Sequence, residues 1–202
     1  MKRGLDITVA LWGLILLSPL MGIVALAILL TSGRPALFSQ VRVGKNGSLF
    51  RIRKFRTMTV LSGTEGGIFE PGNLTRVTPF GRFLRNTKLD ELPQLWNVIK
   101  GDMSLVGPRP EVPKWVVANT DRWMSIISIR PGITDPASIK FYDEETLLAC
   151  SQNPEATYRE TILPRKLALY KEYLRTRTLT GDIRIFAETL IRLAIDVPRR
   201  KC

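Results

Sequence analysis

The sequence predicts a mainly α protein with a small β-hairpin, an α+β chain with an N-terminal re-entrant membrane helix and amphipathic surface helices. Three observations predict it: an uncharged apolar run over residues 7–30, an Asn46-Gly47 pair between two β-type segments, and apolar residues at helical spacing through the C-terminal half. The expected division is an anchor over 1–33 and one domain over 34–202.

Residues 7–30 are 24 in number and carry no charge; Lys2, Arg3 and Asp6 precede them. As a helix they would measure ~36 Å, enough to cross a bilayer. Pro19 lies near the centre, preceded by Ser18 and followed by Gly22. Proline removes a backbone hydrogen bond and pushes its ring against the preceding turn, so a kink is expected, with the Ser18 hydroxyl available to the freed carbonyl. Each half is then ~16 Å long, about half of a hydrocarbon core. Basic residues lie at both ends: Lys2 and Arg3 before, then Arg34, Arg42, Lys45, Arg51, Arg53, Lys54 and Arg56 after, with no acid among the latter. The positive-inside tendency puts both ends in the cytoplasm, which a re-entrant hairpin broken at Ser18-Pro19 satisfies. A straight crossing with a mild proline kink is the competing reading. A cleaved signal peptide is disfavoured by the length of the run and the lack of a small-x-small site.

Segments 36–43 and 48–54 flank Gly44-Lys45-Asn46-Gly47 and read as a β-hairpin whose second arm delivers Lys54, Phe55, Arg56 and Thr57. Residues 63–73, rich in Gly, Glu and Pro without periodicity, read as a loop, mobile over the site. Helices are predicted over 78–86, 91–99, 112–129, 155–175 and 181–197. In the last, Ile183, Phe186, Leu190 and Leu193 recur at helical spacing opposite Asp182, Arg184, Glu188 and Arg192. Trp115, Val116, Trp123 and Ile127 mark 112–129. Tryptophan suits the headgroup level of a bilayer, so these helices either lie on the membrane or turn this face to the core.

At 202 residues the chain holds one domain with a real core. Its 30 Lys and Arg against 18 Asp and Glu give +12, a field that draws lipid headgroups, phosphorylated substrates or nucleic acid. No nucleic acid partner is expected, since the charge is not interleaved with aromatic stacking positions and the apolar anchor has no place in that role. Histidine is absent, which excludes Ser-His-Asp and Cys-His catalysis, a phosphohistidine intermediate and His-containing zinc sites. Carboxylates, hydroxyls, Lys, Arg and Cys remain. Cys150 and Cys202 lack CxxC spacing, do not make a disulfide framework, and fit a reducing setting.

The informative chemistry lies over residues 87–111. Pro93 is accepted only in the first turn of a helix, which places a helix start near Asp90 and leaves the carboxylates of Asp90 and Glu91 beside unpaired backbone N–H groups. The dipole there lowers carboxylate pKa and attracts phosphate. A capping box, Thr87-x-x-Asp90, explains the same residues with no chemistry. Carboxylate attack on a diphosphate needs cations to offset the negative charge spread over the phosphoryl oxygens. Lys54, Arg56, Arg85, Arg109 and Arg130 are the candidates. Arg109 ranks first, because Pro108 and Pro110 fix its backbone and Gly107 allows close approach; Arg130-Pro131-Gly132 has the same style.

Five segments in order, Lys54-Phe55-Arg56-Thr57-Met58, the run from Asp90-Glu91-Leu92-Pro93 into Gln94-Leu95, Lys100-Gly101-Asp102-Met103-Ser104, Gly107-Pro108-Arg109-Pro110 and Arg130-Pro131-Gly132-Ile133-Thr134, resemble the bacterial sugar transferases, specifically the small monotopic phosphoglycosyl transferases. The resemblance runs from Ser18-Pro19 through Gly181-Asp182-Ile183. It implies transfer of a sugar 1-phosphate from a UDP-sugar donor to a polyprenol phosphate acceptor, with release of UMP and with Mg2+ as cofactor. It places this at the cytoplasmic face of the bacterial inner membrane, as the first membrane step of glycoconjugate biosynthesis, with 34–202 as the cytoplasmic catalytic domain. Carried onto this chain, it makes Asp90 the nucleophile that forms a covalent phospho-sugar aspartyl enzyme, and Glu91 with Asp90 the metal carboxylates.

That chemistry agrees with the residues: magnesium takes a few carboxylates plus substrate phosphates, and covalent catalysis separates the soluble donor from the lipid acceptor. Many relatives continue with Gly-Trp-Ala-Gln after the fifth segment, whereas this chain has Asp135-Pro136-Ala137-Ser138, which puts its sugar or nucleotide contacts in question. Some relatives carry extra N-terminal spans; this chain is expected to match the catalytic unit alone. Monomer and homodimer both stay open.

Overall fold

The computed structural model describes residues 1–60, 75–117 and 119–195; the loop expected over 63–73 lies outside them. Helix α1, Lys2–Ser32, runs its 31 residues through Pro19 as one helix. Ser18 Oγ donates to Ile15 O at 2.9 Å, the carbonyl four residues before Pro19 that proline's missing N–H leaves unserved. Trp12, Leu16 and Leu30 are 58, 71 and 78% exposed, so an apolar face turns away from the rest of the protein. By length and composition α1 is long and apolar enough to cross a membrane.

Both ends of α1 are held by the same body. At its start Lys2 Nζ donates to Val106 O at 2.9 Å and pairs with Asp182, and Arg3 reaches Val98 O at 2.7 Å and Met103 O at 3.1 Å. Buried Asp6 accepts from Ser104 Oγ at 2.7 Å. At the far end Val24 and Ile28 are buried with Phe55 and Leu84. There the Arg56 guanidinium donates to Ser32 O and Gly33 O at 2.5 Å each and to Arg34 O at 2.7 Å, serving carbonyls that a helix end leaves without partners. Lys2 and Arg3, which the sequence assigns to topology by charge alone, are in specific bonds.

Strands β1, Leu37–Val43, and β2, Leu49–Phe55, pair antiparallel from Leu37 opposite Phe55 to Val43 opposite Leu49. This is the predicted hairpin. Asn46 and Gly47 take φ of 56° and 78°, the left-handed region that Asn and Gly enter most cheaply. Helix α2, Pro79–Asn86, is capped by Thr78, whose Oγ1 accepts from Gly81 N at 2.9 Å. It sits hard against the end of the hairpin, since a Cβ on Gly81 would lie 2.1 Å from Thr57 O. A 3₁₀ turn, Leu89–Glu91, follows, and then helix α3, Gln94–Lys100. Relative to the predicted 91–99 the α-helix starts three residues later, because a tighter turn takes up the acidic pair and Pro93 becomes the cap. Asn97 joins α3 to the hairpin edge: its Nδ2 donates to Arg51 O at 2.8 Å and its Oδ1 accepts from Arg53 N at 3.1 Å.

Strand β3, Ser104–Val106, pairs in parallel with β4, Gly132–Thr134. Strands this short carry too little alternation to be read from sequence. The predicted helix over 112–129 is broken: its described residues form α4, Pro113–Val117, α5, Thr120–Trp123, and a 3₁₀ turn, Ile126–Ser128. Serine and β-branched residues at 125–128 are weak helix formers, and Asn119 leaves helical geometry at φ −139°. Trp115 and Trp123 are 3% and 2% exposed and pack against Tyr158 and Tyr170, which settles them as core rather than headgroup residues.

Helices α6, Pro136–Lys140, and α7, Glu144–Ala149, are additions to the predicted set. The remaining two predicted helices correspond to α8, Pro154–Thr157, a π turn, Tyr158–Ile162, and α9, Leu163–Thr176, and then α10, Leu179–Ile195. The fold is therefore mainly α with a small β part.

A methyl group at Gly81 has no room against the Thr57 backbone. Gly81→Ala is expected to lower stability by ~1–3 kcal/mol, read as a shift in the denaturation midpoint.

Candidate active site

Asp90 and Glu91 lie in the 3₁₀ turn between α2 and α3, entered through Lys88 in left-handed conformation with φ 56°. Both are buried, at 6 and 8% exposure. Thr87 does not form the capping box: its hydroxyl turns back to Phe83 O at 2.9 Å, closing α2. Asp90 is left without that structural task.

Glu91 is held by two cations. Lys54 Nζ, at the end of β2, donates to its Oε1 at 2.8 Å, and Arg109 Nη2 donates to the same oxygen at 2.5 Å, with Nη1 3.5 Å from Oε2. Burial works against ionisation of Glu91, and Arg109, Lys54 and Lys88 outweigh it, so its carboxyl lies well below the usual range. Arg109 is driven up mainly by Glu91. Burial pulls Lys54 below its ordinary value despite Glu91.

Asp90 departs from expectation in the opposite direction. Its Oδ1 is buried with no hydrogen-bond partner among the described residues. Burial raises its carboxyl above the ordinary value, with Glu91 adding to the rise and Lys54, Lys88 and Arg85 offsetting part of it. The dipole expected to lower both carboxylates is weak here, because one 3₁₀ turn before a seven-residue helix aligns few peptides.

Of the five predicted cations the structure brings Lys54, Arg85 and Arg109 to the pair. Arg85 is aimed by Thr57, whose Oγ1 accepts from its Nε at 2.9 Å, and by an ion pair with Glu145. The other two lie elsewhere. Arg56 is committed to the carbonyls ending α1, and Arg130 Nε donates to Gly101 O at 2.9 Å, on the side of Arg3. Lys88 was missed, since only its backbone turn places it by Asp90. Ser18 and Pro19 are at mid-length of α1.

The Arg109 segment is pinned from behind. Gly107 N donates to Thr134 O and Gly132 N to Pro108 O, both at 3.0 Å, while buried Arg42 holds Pro110 O at 3.3 Å and Glu111 Oε1 at 3.2 Å. Gly107 permits close approach of the chain at Arg130, where a Cβ would lie 2.7 Å from the carbonyl. Asp135, at the departure from the family pattern, caps α6: its Oδ1 accepts from Ala137 N and Ser138 N at 2.6 and 2.9 Å, and its Oδ2 from Ser138 Oγ at 2.6 Å.

Among the described residues no group of three or more acidic, His or Cys side chains gathers as a metal site. Two adjacent carboxylates, one with an unpartnered oxygen, fit magnesium, which takes one or two carboxylates and completes its shell with water and substrate phosphate.

A family model described as bacterial sugar transferase matches residues 1–196. The chain belongs to the bacterial sugar transferase family. Among relatives, a UDP-glucose:undecaprenyl-phosphate glucose-1-phosphate transferase of Caulobacter vibrioides is 36% identical over 193 residues, covering 94% of this chain and 68% of that protein. One of the same description from Klebsiella pneumoniae is 42% identical over 152 residues, 72% of this chain and 32% of the relative. A UDP-N-acetylgalactosamine-undecaprenyl-phosphate N-acetylgalactosaminephosphotransferase of Aeromonas hydrophila is 45% identical over 142 residues, 68% of this chain and 33% of the relative. The chain thus spans about a third of the length of the latter two family members.

The two carboxylates should act oppositely on stability. The raised Asp90 penalises folding once pH exceeds its unfolded value of ~3.9, so Asp90→Asn is expected to stabilise the protein at neutral pH, by on the order of 1 kcal/mol, and to leave it unchanged near pH 3. Glu91, held low, contributes stability above its unfolded value that is lost as pH falls. Glu91→Gln strands Lys54 and Arg109 and should cost on the order of 3 kcal/mol at neutral pH. Denaturant titrations at the two pH values check both.

Proposed function

We propose that this protein transfers a sugar 1-phosphate from a UDP-sugar to polyprenol phosphate, with release of UMP, in two steps at Asp90. The observation that carries the reading is Asp90 itself: a buried carboxylate with an unpartnered oxygen, no capping role, and three cations acting on it. A charged oxygen kept from hydrogen bonds is a better nucleophile than a solvated one and is poised for an electrophile.

In the first step an Asp90 oxygen bonds to the donor's β-phosphorus. The anhydride bond to the α-phosphate breaks and its electron pair leaves on UMP. In the second step an oxygen of polyprenol phosphate attacks the same phosphorus, the Asp90–phosphorus bond breaks, the carboxylate is restored, and the product is a polyprenyl diphosphate sugar. Lys54, Arg85, Lys88 and Arg109 offset the charge spread over the phosphoryl oxygens. Glu91 keeps two of these cations in place. Arg56 secures α1 and takes no part in this scheme. Magnesium, when bound to the donor diphosphate with Glu91 and Asp90 as the carboxylates at hand, supplies further charge neutralisation.

The apolar face of α1 is the part of the molecule that suits a bilayer, and with both ends of α1 bound to the same body the domain stays on one side of it. Residues 1–33 then enter one leaflet from the cytoplasmic face of the inner membrane, and the site stands at headgroup depth, where polyprenol phosphate presents its phosphate. The names of the relatives support this donor and acceptor class, and they differ in the sugar.

Purified protein in lipid nanodiscs with polyprenol phosphate and a panel of UDP-sugars should release UMP with at least one donor and stop when magnesium is chelated. Quenched enzyme should carry a phospho-sugar mass on Asp90, and Asp90→Asn should lose both the mass and at least ~10³-fold in rate. Only the ionised carboxyl attacks, so the acid limb of the rate profile should lie above the ordinary Asp range. UMP release by Asp90→Asn at the wild-type rate would sink the reading.

A further inference from the structure

Gln94 opens α3 four residues after Asp90, and Leu92 and Pro93 between them are right-handed helical. Residues four apart on such a segment stand one turn apart on the same face. Gln94 is 1% exposed, and its Nε2 is buried with no hydrogen-bond partner among the described residues. A buried carboxamide left unpaired carries its full desolvation cost, whereas an apolar side chain of the same shape would carry none. Asp90 Oδ1 and Gln94 Nε2 are an acceptor and a donor, both sealed from solvent, both unsatisfied, and not bonded to each other.

We infer that Gln94 is a further catalytic residue, whose Nε2 donates a hydrogen bond to a non-bridging oxygen of the phosphoryl group as it passes to and from Asp90. This rests on the reading of Asp90 as nucleophile. The transition state spreads charge over three equatorial oxygens, and a fixed donor aimed at one of them stabilises it without reorganisation. Of the nearby cations, Lys54 and Arg109 also hold Glu91 and Arg85 also binds Thr57 and Glu145, so a fixed neutral donor adds to their charge and that of Lys88. A neutral N–H also suits this place better than another cation would, since a cation one turn from Asp90 would pair with the carboxylate in the resting enzyme and blunt its attack. Gln94 exchanges no proton. The bonds made and broken stay those between the Asp90 oxygen, phosphorus and the leaving or attacking phosphate.

The test uses the full chain in nanodiscs with a UDP-sugar that the wild type turns over, and compares Gln94→Met and Gln94→Glu for kcat, KM, adduct formation and thermal midpoint. Gln94→Met, close in shape but without the donor, is expected to lose ~10²-fold in kcat and in the rate of adduct formation, with KM within about threefold and a midpoint equal to or above wild type. Gln94→Glu should fall further, and its deficit relative to wild type at the same pH should narrow as pH is lowered to protonate it. Wild-type turnover by Gln94→Met, or a rate loss that merely follows a fallen midpoint, would assign Gln94 to packing or to a bound water and overturn the inference. A wild type that turns over yet never forms an adduct would instead sink the Asp90 reading, and this role with it.

Discussion

Glu91 between Lys54 and Arg109 is the constraint on which the site depends. Three segments far apart in the chain meet there: the end of β2, the turn between α2 and α3, and the proline-flanked stretch after β3. A buried ion without its partner is costly, so each charge requires the other two. The hairpin register places Lys54 opposite Phe38, and the close backbone contact of Gly107 with Gly132 sets the path of Arg109. With Glu91 ionised and holding both cations, its neighbour Asp90 is left buried and raised, its Oδ1 without a hydrogen-bond partner among the described residues.

The two adjacent carboxylates have unequal environments. One is paired directly with two cations and positions them; the other has been taken out of water with one oxygen lacking a hydrogen bond and with only partial offset from Lys54, Lys88 and Arg85. A fold selected for stability alone would cap a helix with Asp90 or pair it, and Thr87 shows that a capping hydroxyl is at hand and goes to α2 instead. Instability kept at one oxygen is a common property of reacting groups.

Helix α1 is built into the same body. Buried Asp6 and the cations Lys2 and Arg3 bind β3, α3 and α10 at one end of α1, and Arg56 binds the carbonyls at the other. Whatever surface receives the apolar face of α1 is therefore registered rigidly to the acidic pair through α3, which lies between α1 and the hairpin.

Much of this was legible in the amino-acid order. The Asn46-Gly47 turn, the apolar run of α1, the Ser18 bond beside Pro19, α9, α10 and the candidate status of Asp90, Glu91, Lys54 and Arg109 all follow from local rules: left-handed turn residues, uninterrupted apolarity, helical periodicity, charge and proline placement. The breaks within 112–129, the β3–β4 pair, the core burial of Trp115 and Trp123, and the removal of Arg56 and Arg130 to other duties did not. The sequence by itself determined which groups could ionise, turn or bury, because those are properties of a residue and its near neighbours. Only the tertiary structure decided which carboxylate is paired with cations and which keeps a buried oxygen without a hydrogen bond, because desolvation and pairing depend on atoms brought together from distant parts of the chain.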